Sequence, residues 1–259
     1  MPVLARRLAR HTFSAVAAGC LTAALVAAPA AAQLRDGFRS TLVERGDDNW
    51  SGFQSLGFSL NIRGGTYEDA SACTNGYISL LLADDPNNCR FFSTELSELA
   101  AANGATVAPF WDDLITTENF GVTPGQVGYG AGTVGGRSAF GFTWDGVRTL
   151  GTPFLSYFQV VFVDRGDRAV GDFDLEYNYG TLDGLNPFVV AGFAEDGSFT
   201  GEPYLVGVTP EENSRVVQCF VGGSIGTCAV IPEPATLALT LSGAGVLAAA
   251  AAARRRRPC

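Results

Sequence analysis

The sequence predicts an all-β fold, an antiparallel β-sandwich-like ectodomain with one or two short helices. An N-terminal signal helix and a C-terminal transmembrane helix flank it. Three observations carry this reading. Apolar residues alternate with polar ones over short runs, which gives a strand one dry and one wet face. Gly-rich breaks separate the runs: Gly64-Gly65, Asn103-Gly104, Gly135-Gly136, Asp183-Gly184 and Asp196-Gly197. The long apolar stretches lie near the two ends of the sequence.

At the N-terminal end, Arg6, Arg7 and Arg10 form a basic region, and Thr12 to Ala28 an apolar one. Ala30-Ala31-Ala32 then offers a signal-peptidase site, so residues 1–32 read as a signal peptide and Gln33 as the first mature residue. Ala17-Ala18-Gly19-Cys20 is the rival lipoprotein reading, but the apolar run continues past it to Ala28.

Residues 33–230 read as one β domain. Leu56, Phe58, Leu60 and Ile62 alternate with small or polar residues, as do Phe140, Phe142 and Trp144. The clearest alternation is Asp172 to Tyr179, where every second residue is acidic or amide. That pattern predicts a strand with an exposed, charged face. Tyr157 to Val163 and Phe188 to Phe193 are apolar enough to be buried on both faces. Gly128 to Gly136 fits no phosphate-loop spacing and reads as a hairpin. Asn75-Gly76 predicts a tight turn into Tyr77 to Leu82. Pro109 is expected at a strand end or edge, and Phe110 and Trp111 in the core. Two helices are expected: Thr94 to Ala102, and a single turn after Thr209 with Pro210 at its start and Glu212 completing a capping box.

At the C-terminal end, residues 231–259 hold a Pro-rich break, an apolar span and a basic stop. The span Ala235 to Ala253 carries no charge and has 19 residues. At about 1.5 Å per helical residue it matches a hydrocarbon core of about 30 Å. Arg254 to Arg257 should remain cytoplasmic. A buried core helix is the alternative.

Charge and composition exclude several functions. All but one of the 26 acidic residues, and ten of the 17 Arg, lie in 33–230, leaving that stretch near −15. Such a surface argues against nucleic acid as a partner. The chain has no Lys, and its single His, His11, lies in the signal peptide. A Ser-His-Asp or Cys-His nucleophile, a His-ligated metal and a Schiff-base lysine are therefore excluded from the mature chain. Only carboxylate chemistry survives, such as a glycosidase pair. Asp112, Asp113, Asp164, Asp167, Asp172 and Asp174 could together suit calcium, but a solvated acidic face is the simpler reading. Arg165-Gly166-Asp167 spells an integrin-type tripeptide that a turn acquires by chance.

Four cysteines remain in the mature stretch, Cys73, Cys89, Cys219 and Cys228. An even count in an exported chain favours disulfides. Four cysteines allow three connectivities, of which local pairing, Cys73–Cys89 and Cys219–Cys228, is preferred. A zinc site is the weaker alternative, since neither spacing is C-x-x-C and no His can complete a shell.

The tail, through Pro232, Glu233, Pro234 and Arg254, Arg255, Arg256, Arg257 with the apolar span between, resembles the PEP-CTERM sorting signal. The resemblance implies a Gram-negative bacterium, an exosortase as partner and transient anchoring in the inner membrane. It also implies export to the cell surface or beyond, often beside biofilm polysaccharide. The ectodomain resembles the NIDO, or nidogen-like, module. Thr74 to Ser79, Val107 to Asp113, Phe142 to Val147 with Phe158 to Phe162, and Glu176 to Tyr179 with Ala191 to Phe193 carry that likeness in order. It implies an extracellular interaction domain without cofactor, metal or catalytic residue, whose partner would be an extracellular polysaccharide or a matrix protein. Two alternatives remain: a carboxylate-dependent enzyme acting on polysaccharide, and a structural matrix filler without a specific ligand.

Overall fold

A computed structural model describes residues 34–80, 89, 95–103, 105–118, 121, 123–183, 189–197, 203–226 and 228. Residues 1–32, expected to be a signal peptide, the expected transmembrane span 235–253 and the sorting residues Pro232 to Arg257 lie outside the described residues. Among the described residues no helix is long and apolar enough to cross a membrane.

The strands follow in chain order as β1 (Thr41–Leu42), β2 (Gln54–Ile62), β3 (Gly65–Cys73), β4 (Tyr77–Ser79), β5 (Thr106–Trp111), β6 (Leu114–Ile115) and β7 (Gln126–Val134). They continue as β8 (Arg137–Thr149), β9 (Leu155–Asp164), β10 (Phe173–Leu182), β11 (Val190–Glu195), β12 (Tyr204–Gly207), β13 (Arg215–Val221) and β14 (Ser224–Gly226). One helix, α1 (Leu96–Asn103), precedes β5. An eight-stranded sheet runs β1-β7-β8-β9-β10-β13-β14, with β6 paired beside β8. A six-stranded sheet runs β12-β11-β5-β4-β3-β2. The pairings are antiparallel, and the architecture is the predicted all-β sandwich.

Period-two patterning builds the core. Phe142 lies opposite Val160, and Val160 opposite Tyr177, so one row of β8, β9 and β10 faces inward. That row joins Ile78, Val107 and Phe110 of the other sheet in one apolar cluster. Phe110 stacks on Phe158 across the two sheets at 5.1 Å, and Trp144 stacks on Phe158 at 5.0 Å. The expectation that Phe110 and Trp111 are core residues holds; each is 1% exposed.

Tight turns join neighbouring strands as expected. Gly135-Gly136, both at positive φ, close the β7–β8 hairpin between Val134 and Arg137. Three expectations need correction. Pro109 is neither at a strand end nor on an edge, because β5 lies between β11 and β4. It sits where the β5–β11 register shifts, and such an irregularity removes the need for its missing N–H. The segment after Thr209 forms a turn instead of a helix. Glu212 does not cap it; its carboxylate accepts a hydrogen bond from Leu182 N at 2.9 Å.

The third correction concerns Asp172 to Tyr179. The predicted wet face is buried: Asp174 is 8% exposed, Glu176 6% and Asn178 0%. Each meets an arginine. Arg165 Nη1 lies 2.5 Å and Arg168 Nη1 2.9 Å from Asp174. Arg35 Nε lies 2.5 Å from Glu176, and Arg215 Nε donates to Asn178 Oδ1 at 2.5 Å. Arg165 and Asp167 are spent in this network, with Arg137 pairing Asp167 at 2.9 Å, so the Arg165-Gly166-Asp167 tripeptide is not a free loop motif. Hydrogen bonds from Arg137 and Arg165 hold the Asp167 carboxyl well below the usual carboxylate range.

Candidate functional site

The segments that carry the family likeness interlock around one corner of the sandwich. Asn75-Gly76 links β3 to β4, and Gly76 takes φ +81°. Gly76 O accepts from Phe110 N, and Asn75 O accepts from Asp112 N, each at 3.3 Å. The turn is thereby welded to the end of β5. The Asn75 side chain is fully buried. Its Oδ1 accepts from Leu114 N at 2.8 Å, and its Nδ2 donates to Asp48 Oδ1 at 2.6 Å. Trp144 Nε1 reaches the Cys73 and Thr74 carbonyls at 3.2 and 3.1 Å. Tyr179 OH donates to Pro109 O at 2.9 Å, and β11 pairs with β5 through Gly192 and Phe193. Asn75, Phe110, Trp144 and Tyr179 are therefore scaffold: they fix the corner and point inward.

A disulfide reinforces the same corner. Cys73 pairs with Cys89 across a sequence separation of 16, and Cys219 pairs with Cys228 across a separation of 9. Both are the local pairs preferred from sequence. Trp50 stands edge-on to Tyr77 at 5.4 Å, and Tyr77 to Trp111 at 5.8 Å, beside the first bridge. Replacing Cys73 and Cys89 together by alanine is expected to cost about 3 kcal/mol on the loop-entropy scale for a ring of this size. Denaturant titration of the variant against the intact protein checks this.

The rim of the corner is acidic. Asp112 is buried and its Oδ2 accepts from Thr149 Oγ1 at 3.0 Å. Beside it Asp113 is half-buried, and its pKa is pushed up to about 6, first by desolvation and then by Asp47, Asp48 and Asp112. Asp47 is raised as well, by burial and by Asp48. Four carboxylates therefore repel one another at neutral pH. Among the described residues, however, no group of three or more His, Cys, Asp or Glu is placed to hold a metal ion. A second buried carboxylate, Glu195, lies elsewhere on β11, 3.4 Å from Arg63; burial raises its pKa too.

The Asp113 shift has a sign that can be tested. Its folded-state pKa lies above the ordinary 3.8, so its contribution to stability is fully present below that value. It is lost as pH rises through about 6. Asp113→Asn is therefore expected to raise stability at pH 7 and to change little near pH 4. The half-exposed position and solvent screening limit the gain to about 1 kcal/mol or less. Thermal melts of both proteins at the two pH values decide it.

Of the other acidic residues considered for calcium, Asp167, Asp172 and Asp174 are drawn instead into the arginine network, and Asp164 holds a turn. Asp164 Oδ1 accepts from Gly166 N, and Asp172 Oδ1 from Gly222 N, each at 2.8 Å. The feature that sequence reasoning missed is a strap. Residues Arg35 to Ser40 cross the outer face of the eight-stranded sheet and bury Phe38 against Ala139, Val161 and Val163. Its signal lay in the alternation Gly128, Gly130, Gly132, which strips side chains from one face of β7.

Comparison with known families agrees with both resemblances. A PEP-CTERM protein-sorting motif matches residues 230–257 and so contains all seven sorting residues named above. That motif implies exosortase-dependent export, with a membrane-anchored C-terminal signal that precedes display at the cell surface or release. No curated protein and no solved structure matches the chain. The family model described as NIDO related matches residues 31–166, from the strap through β9, and so contains the Asn75-Gly76 turn, β5 and Trp144 of the corner, whereas Tyr179 and β11 lie beyond it. With more than half of its length so matched, the chain belongs to the NIDO-related family.

Proposed function

We propose that this protein is a cell-surface or extracellular binding protein of the matrix, sorted by an exosortase and associated with extracellular polysaccharide or with another matrix protein. The observation that carries the reading is the union, on one chain, of a sorting motif at 230–257 and a disulfide-stapled NIDO-related sandwich. The sandwich supplies rigid strands and two bridges, which suit a module that works outside the cell without turnover.

The first test concerns delivery. In a host lacking its exosortase, the protein is expected to persist as a larger, membrane-held form. In the parent strain the surface or secreted form should lack the apolar span Ala235 to Ala253. Intact-mass measurement of both forms decides, and a secreted protein that still carries the span contradicts the reading.

One observation favours a second reading. Asp113, able to carry a proton near pH 6 beside three other carboxylates, has the tuning of a general acid. An enzyme acting on polysaccharide would lose glycan cleavage when Asp113 becomes Asn. The binding reading expects no cleavage by either protein.

A further inference from the structure

The sorting motif begins almost at the surface of the folded domain. Cys228 is bonded to Cys219 of β13, with their Cα atoms 5.2 Å apart. The motif match starts at residue 230, two residues further on, and Pro232 stands four residues past the bridge. A fully extended chain covers at most about 3.6 Å per residue. Pro232 is therefore held within about 14 Å of Cys228, and residue 230 within about 7 Å.

The pairing register shows which face receives the tail. Phe173 and Phe220 lie opposite each other, and both belong to the core. Side chains alternate along each strand, so Asp174 opposite Cys219, and Glu176 opposite Val217, turn to the outer face of the eight-stranded sheet. Val221 continues that row of β13. Cys228 Sγ lies 3.5 Å from the Val217 carbonyl oxygen. Val217 and Val221 stand 37% and 44% exposed beside it. The other end of the mature chain meets the same face. Arg35, two residues after the expected first mature residue Gln33, rests on Glu176.

A protease that recognises residues from 230 onward must fit its own surface against this face, because almost no spacer separates motif from domain. An anionic bilayer is a poorer occupant. Ten Arg against 25 acidic residues leave residues 33–230 near −15, and like charge repels. Two exposed valines beside the tail suit apolar contact with a protein instead. We propose, on the reading that an exosortase sorts this chain, that the outer face of β10 and β13 around Val217 and Val221 is where the exosortase seats the folded domain while it holds the tail. The Cys219–Cys228 bridge then sets the distance between that seat and the motif.

Pulse-labelling of the full chain in its host tests this, by following conversion of the membrane-held precursor to the shortened form. Val217→Glu combined with Val221→Glu should slow conversion by roughly tenfold or more, because docking would bury two unpaired charges. Leu205→Glu, at a site 46% exposed on β12 of the other sheet, should convert at the parent rate. A spacer of about twelve Gly and Ser residues inserted after Cys228 should restore the paired variant to near the parent rate, since the motif then reaches the protease without the domain. A variant slowed only by misfolding would gain nothing from the spacer.

Parent-like conversion of the paired variant, in a host where the parent needs the exosortase, overturns the proposal. So does a slow variant that the spacer fails to rescue. Conversion of the parent without the exosortase overturns the sorting reading itself, and this proposal with it. A photo-crosslinking residue at position 217 identifies the occupant. It should trap the exosortase, whereas labelling of lipid alone would put the bilayer there and refute the proposal.

Discussion

Gly76→Ala is expected to lower the stability of the domain by roughly 3–5 kcal/mol, at the extreme of single-site effects. Gly76 stands at φ +81°, a conformation that alanine resists, but the larger part of the loss is steric. The added methyl would lie 1.8 Å from the Phe110 carbonyl oxygen, a backbone atom of a central strand that cannot swing aside. Shifting β5 to make room would strain the bonds from Phe110 N and Asp112 N to the turn, and with them the Asn75 contacts to Leu114 and Asp48. For a domain of this size the melting temperature should fall by roughly 10 °C. Gly151 is the control. It has nearly the same backbone, φ +77°, with nothing within 4 Å of a built methyl. Gly151→Ala should cost only about 1 kcal/mol.

Phe38→Ala should rank next, at about 3 kcal/mol. The ring lies on Ala139, Val161 and Val163 and over Gly132 and Gly141, and these glycines have no side chains to collapse into the gap. Its removal also loosens the strap that carries Arg35 to Glu176, where a buried carboxylate would lose its guanidinium. Limited proteolysis should then cut the strap before the sandwich. Gly132→Ala attacks the same contact from below, since its methyl would lie 2.8 Å from the Phe38 ring, and should also destabilise the parent protein. In the Phe38→Ala background it should be tolerated, because the ring atoms it meets are gone. Strong non-additivity between the two, measured by a double-mutant cycle, is the expected signature.

The sandwich was legible because period-two patterning sorts residues by face whatever lies beyond the strand. Leu56 to Ile62, Phe140 to Trp144 and Tyr157 to Val163 all fall in strands with their apolar sides inward. The same pattern misled at Asp172 to Tyr179. Alternation tells that one face is polar; it cannot tell whether something covers that face. Here the cover comes from far along the chain: Arg35 lies 141 residues from Glu176, and Arg215 37 residues from Asn178. Local turn chemistry fared unevenly for the same reason. Gly135-Gly136 closes a hairpin from its own backbone preference, whereas Glu212, which locally suits a capping box, is claimed by Leu182 across the fold. Pro109 illustrates a rule whose exception is tertiary, since the register shift that admits it is set by β11. At the corner, the motif residues of the family likeness were identified before their role was visible. Their spacing in sequence hides that they converge on Asn75-Gly76.

The most direct measurement of the central claim is retention of the purified mature domain on the extracellular matrix of its own host, polysaccharide and protein together. Co-sedimentation over a range of protein concentrations should give a saturating curve with the polymer length unchanged. An unrelated protein of similar negative charge, run alongside, should stay in solution. Retention no greater than that of the control, or shortening of the polymer as protein is added, would contradict the account.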